Sequence, residues 1–148
     1  MILLSKALSD QAAAIPAAAG LWHEWAKERG HDDPDLEAYI GTLIDRVRSG
    51  RYCIIIDWDA AGEARGMVDV QVDYEPGTRR LVAYVDKLFV SKKHRGTGRI
   101  ALQLAQAAKA AGRAMGADEF LLAVKPAGPV KFYKRQGFKE DMMLMRFA

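Results

Sequence analysis

Between Leu88 and Ala108 the chain reads LFVSKKHRGTGRIALQLAQAA, an apolar strand running into a two-glycine loop and then an alanine-rich helix. That junction narrows the folds available, because the helix must pack back on the sheet that the strand belongs to. What precedes it has a period of two. Arg51 to Trp58 reads as a strand with a β-branched centre at Ile54, Ile55 and Ile56. Met67 to Tyr74 alternates, with Val68, Val70, Val72 and Tyr74 facing one way and Asp69, Gln71 and Asp73 the other. Arg80 to Val90 is a third strand. Asp59 to Glu63 is a hairpin loop, and Glu75-Pro76-Gly77-Thr78 puts Pro and Gly where a type II turn wants them. The three strands make an antiparallel meander.

Helical spacing frames this meander. Ile2 to Lys6 is a short opening strand, and Ser9 caps a helix through Trp22 and Trp25 toward Arg29, in which Pro16 and Gly20 predict a bend or a late start. A second helix is capped by Asp33, takes Pro34 at its first position, repeats Leu36, Tyr39, Ile40, Leu43, Ile44 and Val47, and stops at Gly50. Beyond the glycine loop the pattern predicts a helix from Arg99 to Met115 and a buried strand from Phe120 to Val124. Pro129 then opens a helix through Arg135, and Phe138 to Phe147 forms a last strand. The class is α/β (α+β in some schemes), a mixed sheet with helices on both faces. With 148 residues there is room for one domain over 1–148 and for a core that needs no staples.

A single cysteine, Cys53, excludes a disulfide framework and a cysteine-cluster zinc site, and reads as a small core residue. His23, His31 and His94 are too dispersed for a metal site, so none is expected. No apolar run approaches the roughly 18 residues that span a bilayer, and the start MILLSKALSD is not built like a signal peptide. The expectation is a soluble, cytoplasmic protein with no membrane partner. A net charge of +3 is too small to argue for nucleic acid. The positive residues are instead local: Lys92, Lys93, His94, Arg95 and Arg99 in one stretch, Lys131, Lys134, Arg135 and Lys139 in another.

The first stretch coincides with the glycine loop. Gly96 and Gly98 permit a tight turn in which consecutive N–H groups face one anion, and the following helix start adds about half a positive charge. Lys92, Lys93, Arg95 and Arg99 surround it as mobile cations, which makes a phosphate or pyrophosphate cradle. A GxxxxGK[ST] loop is absent. Gly96 to Ala101 matches the G-x-G-x-x-A dinucleotide form. The acidic residues about 20 positions on, Asp118 and Glu119, precede the next strand, whereas that fold wants one at its far end.

Leu88-Phe89-Val90, Arg95-Gly96-Thr97-Gly98 and the later Phe132-Tyr133-Lys134-Arg135-Gln136-Gly137-Phe138 together resemble the GNAT superfamily of acetyl-CoA-dependent N-acetyltransferases. The family loop, Q/R-x-x-G-x-G/A, is approached in two registers: Lys93 to Gly98 starts with Lys, and Arg95 to Ile100 ends in Ile. Pro126 stands near the position of a frequent family Asn. The resemblance implies a single-domain GNAT-like fold with a mostly antiparallel six- to seven-stranded sheet and acetyl-CoA as cosubstrate. Its pyrophosphate would lie on Arg95, Gly96, Thr97, Gly98, Arg99 and Ile100, and its pantetheine arm would pair with Leu88, Phe89 and Val90. An N–H near Leu88 would face the thioester oxygen, and Lys92 and Lys93 would meet the ribose phosphate.

By the same resemblance Tyr133 is the general acid for the departing thiolate, and Asp86, in YVDKLFV, stands where many members carry a Glu base. Asp73 and Glu75 compete with it. Trp22, His23 and Trp25, with the acidic Asp32, Asp33, Asp35 and Glu37, frame a cationic acceptor or are simply core and solvated turn. The partner would be a small-molecule or peptide amine, with a homodimer and an acyl group longer than acetyl both open. The rivals are a non-catalytic acyl-CoA-binding domain, a dinucleotide-binding module and a tRNA-directed acetylase.

Overall fold

The β-branched run at the centre of the chain builds the sheet. In a computed structural model, which describes residues 2–4, 8–122 and 130–139, Tyr52–Trp58 forms β2, buried along nearly its whole length. It pairs antiparallel with β1 (Ile2–Leu4) on one side and β3 (Ala64–Tyr74) on the other, and β3 pairs antiparallel with β4 (Leu81–Val90). β5 (Glu119–Leu122) then joins β4 in parallel, giving the order β1-β2-β3-β4-β5. The mixed sheet is the one expected. Its described part has five strands rather than six to seven, and the last expected strand, 138–147, lies almost wholly outside the described residues. The expectation for Phe120 to Val124 is also corrected. The described strand starts one residue earlier, at Glu119, and its four residues are only half-buried.

Two apolar clusters sandwich the sheet. On one face α1 (Leu8–Glu28) and α2 (Leu36–Arg48) bury Ile15, Ala18, Leu21 and Leu43 against Ile54, Ile56, Met67 and Phe89. On the other, α3 (Arg99–Ala114) buries Leu104, Ala108 and Ala111 against Cys53, Ile55, Val68, Val70 and Val85. α4 (Val130–Arg135) lies beside α3, where Lys109 Nζ donates to the Gln136 carbonyl at 3.3 Å. Among the described residues no helix is long and apolar enough to cross a membrane.

Two local expectations are corrected. α1 is continuous through Pro16, which lies on its exposed side, so the helix does not start late. α2 is capped by Asp35, two residues after Asp33, because its extended backbone lets the carboxylate accept the Ala38 N–H at 2.9 Å. The turn Glu75 to Thr78 closes as expected, with Gly77 at φ +78° and the Thr78 N–H on the Glu75 carbonyl at 3.1 Å.

Two bulges interrupt the meander. β3 gains a residue at Arg65, between Asp57 and Trp58 of β2, and the Arg65 guanidinium reaches the fully buried Asp57 carboxylate at 2.7 Å. β4 gains one between Val85 and Leu88, opposite Asp69.

Candidate active site

The loop between β4 and α3 is anchored at its first residue. Ser91, almost fully buried, donates its N–H to the Arg65 carbonyl at 2.8 Å and its hydroxyl to Glu24 Oε1 at 3.0 Å, and its carbonyl accepts the His94 N–H at 2.9 Å. A 3-10 turn, Lys92–His94, follows. Gly98 then opens α3 in the left-handed region, at φ +75°, with no side-chain cap. Only Thr97 Oγ1 approaches a first-turn amide, that of Arg99 at 3.4 Å, which leaves that turn short of acceptors. An exposed, glycine-bounded helix start with spare donors fits an anion.

The surrounding cations are less mobile than the sequence implies. Lys93 is paired with Glu63, and Arg95 with Glu28 at 2.8 Å while its Nε donates to the Val90 carbonyl at 2.7 Å. Lys92 and Arg99 are exposed and form no ion pair among the described residues. Sequence reasoning missed Glu24, Glu28 and Glu63 because their partners are 30 to 68 positions away.

Leu88, Phe89 and Val90 offer the site backbone rather than side chains. Phe89 packs toward α1, and Leu88 and Val90 pack toward α3. β5 pairs with β4 only from Val82 to Val85, so among the described residues no strand covers the outer edge of Asp86 to Val90. The bulge falls at this transition. Asp69, 4% exposed, accepts the Lys87 N–H at 2.8 Å on one oxygen and the Tyr52 hydroxyl at 2.9 Å on the other. The strict alternation that marked Asp69 as polar-face could have flagged it, since α1 and α2 cover that face.

Burial, and secondarily the nearby Asp86, push the Asp69 carboxyl above its ordinary range against the opposing pull of Lys87. A carboxyl whose pKa folding raises contributes stability that is complete below its unfolded value of about 3.9 and is lost as pH rises through its folded value. Asp69→Asn stays neutral and keeps an oxygen for the Lys87 N–H. In urea denaturation from pH 4 to 8 the variant is therefore expected to gain on the wild type as pH rises. Parallel stability curves would contradict the shift.

Asp86 is exposed and ion-paired with Lys87, whose Nζ also lies 5.5 Å over the Trp25 ring. Its competitors lie elsewhere. Asp73 opposes Val82, whereas Leu88 opposes Val68, so five residues of strand, about 17 Å, separate the two levels. Asp73 is engaged with Arg51 at 3.6 Å and Glu75 with the Thr78 hydroxyl at 3.1 Å. Trp22 stacks on Tyr39 at 4.2 Å, and Trp25 already carries Arg29 at 4.5 Å as well as Lys87. Of the acidic group, Asp35 is a helix cap and Asp32, Asp33 and Glu37 are exposed.

Tyr133, buried on α4, meets the Phe132 and Phe138 rings edge-on at 5.2 and 5.7 Å, and burial raises its phenol above the ordinary value. Phe132 links α4 to the loop, lying 3.8 Å from where a Cβ on Gly98 would stand. Cys53 is a buried core residue, and burial lifts its thiol to about 11. Among the described residues no cluster of His, Cys, Asp or Glu could hold a metal.

A sequence-family model described as the Acetyltransferase (GNAT) family matches residues 18–138. No curated protein sequence matches the chain. Among solved structures, the aminoglycoside acetyltransferase AAC(6')-Iy, in complex with the bisubstrate analogue CoA-S-monomethyl-acetylneamine, superposes with a TM-score of 0.74 at 22% identity, over 92% of this chain and 91% of that one. The same enzyme has been solved with CoA. An acetyltransferase of Trypanosoma brucei matches at a TM-score of 0.72 and 17% identity, over 100% and 96% of the two chains. An aminoglycoside acetyltransferase from an uncultured soil metagenomic sample matches at 0.74 and 16%, over 100% and 92%. At these identities the likeness is one of fold.

Proposed function

The chain belongs to the GNAT acetyltransferase family, and from that membership we propose that it moves an acetyl group from acetyl-CoA to an amine within a ternary complex. The observation that carries this reading is the glycine-bounded start of α3, without a side-chain cap, beside the edge of β4 that no described strand covers. The residues present fit the cosubstrate. Backbone amides from Arg95 to Ile100 would receive the pyrophosphate. Lys93 and Arg95 would exchange Glu63 and Glu28 for phosphate oxygens, and Lys92 is at hand for the ribose phosphate. The edge from Leu88 to Val90 would take the pantetheine arm as an added strand.

The chemistry needs two proton movements. The amine must lose a proton before its nitrogen attacks the thioester carbon, and the sulfur takes up a proton as the carbon–sulfur bond breaks. Asp86, two residues from Leu88 and exposed, suits the first through a water molecule. Asp73 and Glu75 stand too far along the sheet. An N–H near Leu88 would stabilise charge on the thioester oxygen. Tyr133 suits the second step, since burial keeps its phenol protonated.

Thermal melting with acetyl-CoA, CoA and NAD tests the reading. A ligand that binds only the native state adds about 2.7 kcal/mol at 100 times its dissociation constant. Stabilisation by acetyl-CoA and CoA is expected, with none from NAD, and a shift with NAD alone would favour the dinucleotide reading. Turnover would then be sought across amines, starting with aminoglycosides, peptide N-termini and lysine side chains. CoA binding with no turnover on any of them would favour the non-catalytic reading.

A further inference from the structure

Glu24 stands on α1 between Trp22 and Trp25, yet it faces the loop before α3 rather than the aromatic wall. One of its oxygens, Oε1, accepts both the Ser91 hydroxyl at 3.0 Å and the Lys92 N–H at 2.9 Å. Its charge also acts on the neighbouring Lys93, which is already paired with Glu63. A negative group beside a phosphate site opposes phosphate, so what Glu24 offers that site is its two hydrogen bonds. Ser91 is the residue at which β4 ends and the loop begins, and its N–H and carbonyl are already committed to Arg65 and His94. The Glu24 bonds fix the remaining freedom of this corner and continue it by one amide.

We propose that Glu24 is a positioning residue for the cosubstrate loop, setting the level at which the loop and the start of α3 present their amides to the pyrophosphate. The proposal rests on the acetyl-CoA reading above. The same bonds tie the loop to α1, the helix that carries Trp22 and Trp25.

The test is the affinity of the full chain for CoA, measured by titration calorimetry on the wild type, Glu24→Gln, Glu24→Ala and Ser91→Ala, with a melting curve for each. Gln keeps an oxygen for both bonds and removes the opposing charge, so it is expected to bind CoA at least as tightly as the wild type. Ala leaves the loop free to sample other positions. If the competent population falls to about one tenth, the dissociation constant rises about tenfold. Ser91→Ala, which removes one of the two bonds, is expected to fall between them, and it decides the matter if Glu24→Ala does not fold. A loss of CoA affinity in Glu24→Ala that Gln restores, in proteins whose melting curves show them folded at the titration temperature, is the result that a merely stabilising role would not give. Affinity unchanged in Glu24→Ala or in Ser91→Ala overturns the proposal, as does a Gln variant as weak as Ala. A wild type that does not bind CoA removes the acetyl-CoA reading itself, and the proposal with it, before any substitution is made.

Discussion

Tyr133→Phe is expected to bind CoA as the wild type does and to turn over about 10²- to 10³-fold more slowly, the usual worth of a positioned proton donor. The substitution removes one hydroxyl and leaves the ring. Its edge-on contacts with Phe132 and Phe138 survive, so α4 and its docking on α3 are expected to persist. The proton it would supply goes to a thiolate whose conjugate acid has a pKa of about 8.5, and a phenol of about 10 gives it up at small cost at close range. Burial raises the Tyr133 phenol further. It therefore remains protonated through the neutral range, and any alkaline fall of kcat assigned to it belongs above its ordinary value. Release of CoA from acetyl-CoA in the presence of an active amine measures the effect. A variant that matches the wild-type kcat would end the general-acid role.

Gly66→Val is expected to cost about 3 kcal/mol of stability, in the upper range for overpacking a core. A Cβ at Gly66 would stand 2.9 Å from the Phe89 carbonyl oxygen, 3.0 Å from Leu104 Cδ1 and 3.3 Å from Ile100 Cγ2. The first of these is backbone, held in the β3–β4 ladder, and cannot step aside. Intrinsic preference points the other way, since valine favours strands by up to about 1 kcal/mol over glycine. Packing wins because the alternative is to lift α3. At roughly 2–4 °C per kcal/mol for a chain of this size, the melting temperature is expected to fall by about 6–12 °C. Ile100 lies in the first turn of α3, so affinity for CoA is expected to fall with it. Gly41→Ala is the contrasting control: it is helical, exposed and has nothing within 4 Å of the new carbon, and it is expected to be neutral or stabilising. A Gly66→Val protein as stable as the wild type would mean that α3 does not sit where described.

These two positions differ in how legible they are in the sequence. Tyr133 is announced by FYKRQGF, a local string. Gly66 is one glycine near the start of a strand, and its role comes from a helix more than 30 residues later. The same division holds across the fold. The meander follows from the two-residue period between Arg51 and Val90, and the cradle follows from Gly96 and Gly98 ahead of an apolar helix. The bulge between Val85 and Leu88 does not, because YVDKLFV carries no glycine to mark it. It is fixed from the neighbouring strand, where Asp69 takes the Lys87 N–H. In the sequence Asp69 is one of three alternating polar residues, and nothing local sets it apart from Gln71 and Asp73 as the buried partner of Lys87 and Tyr52. The restraints on the cradle were equally hidden, since Glu24, Glu28 and Glu63 come from an unrelated helix and an unrelated hairpin. Local chemistry was readable, whereas what holds it in register was not.

The lone thiol gives the chain a practical advantage as a reagent for its own assay. Cys53 is buried among the branched residues of β2 and poorly ionised at neutral pH, and thiol reagents attack the thiolate. A colorimetric dye added to the native protein should therefore meet almost no competing sulfhydryl. Every equivalent of colour would report a molecule of CoA set free, and enzyme could be used at concentrations high enough to detect even a poor acceptor.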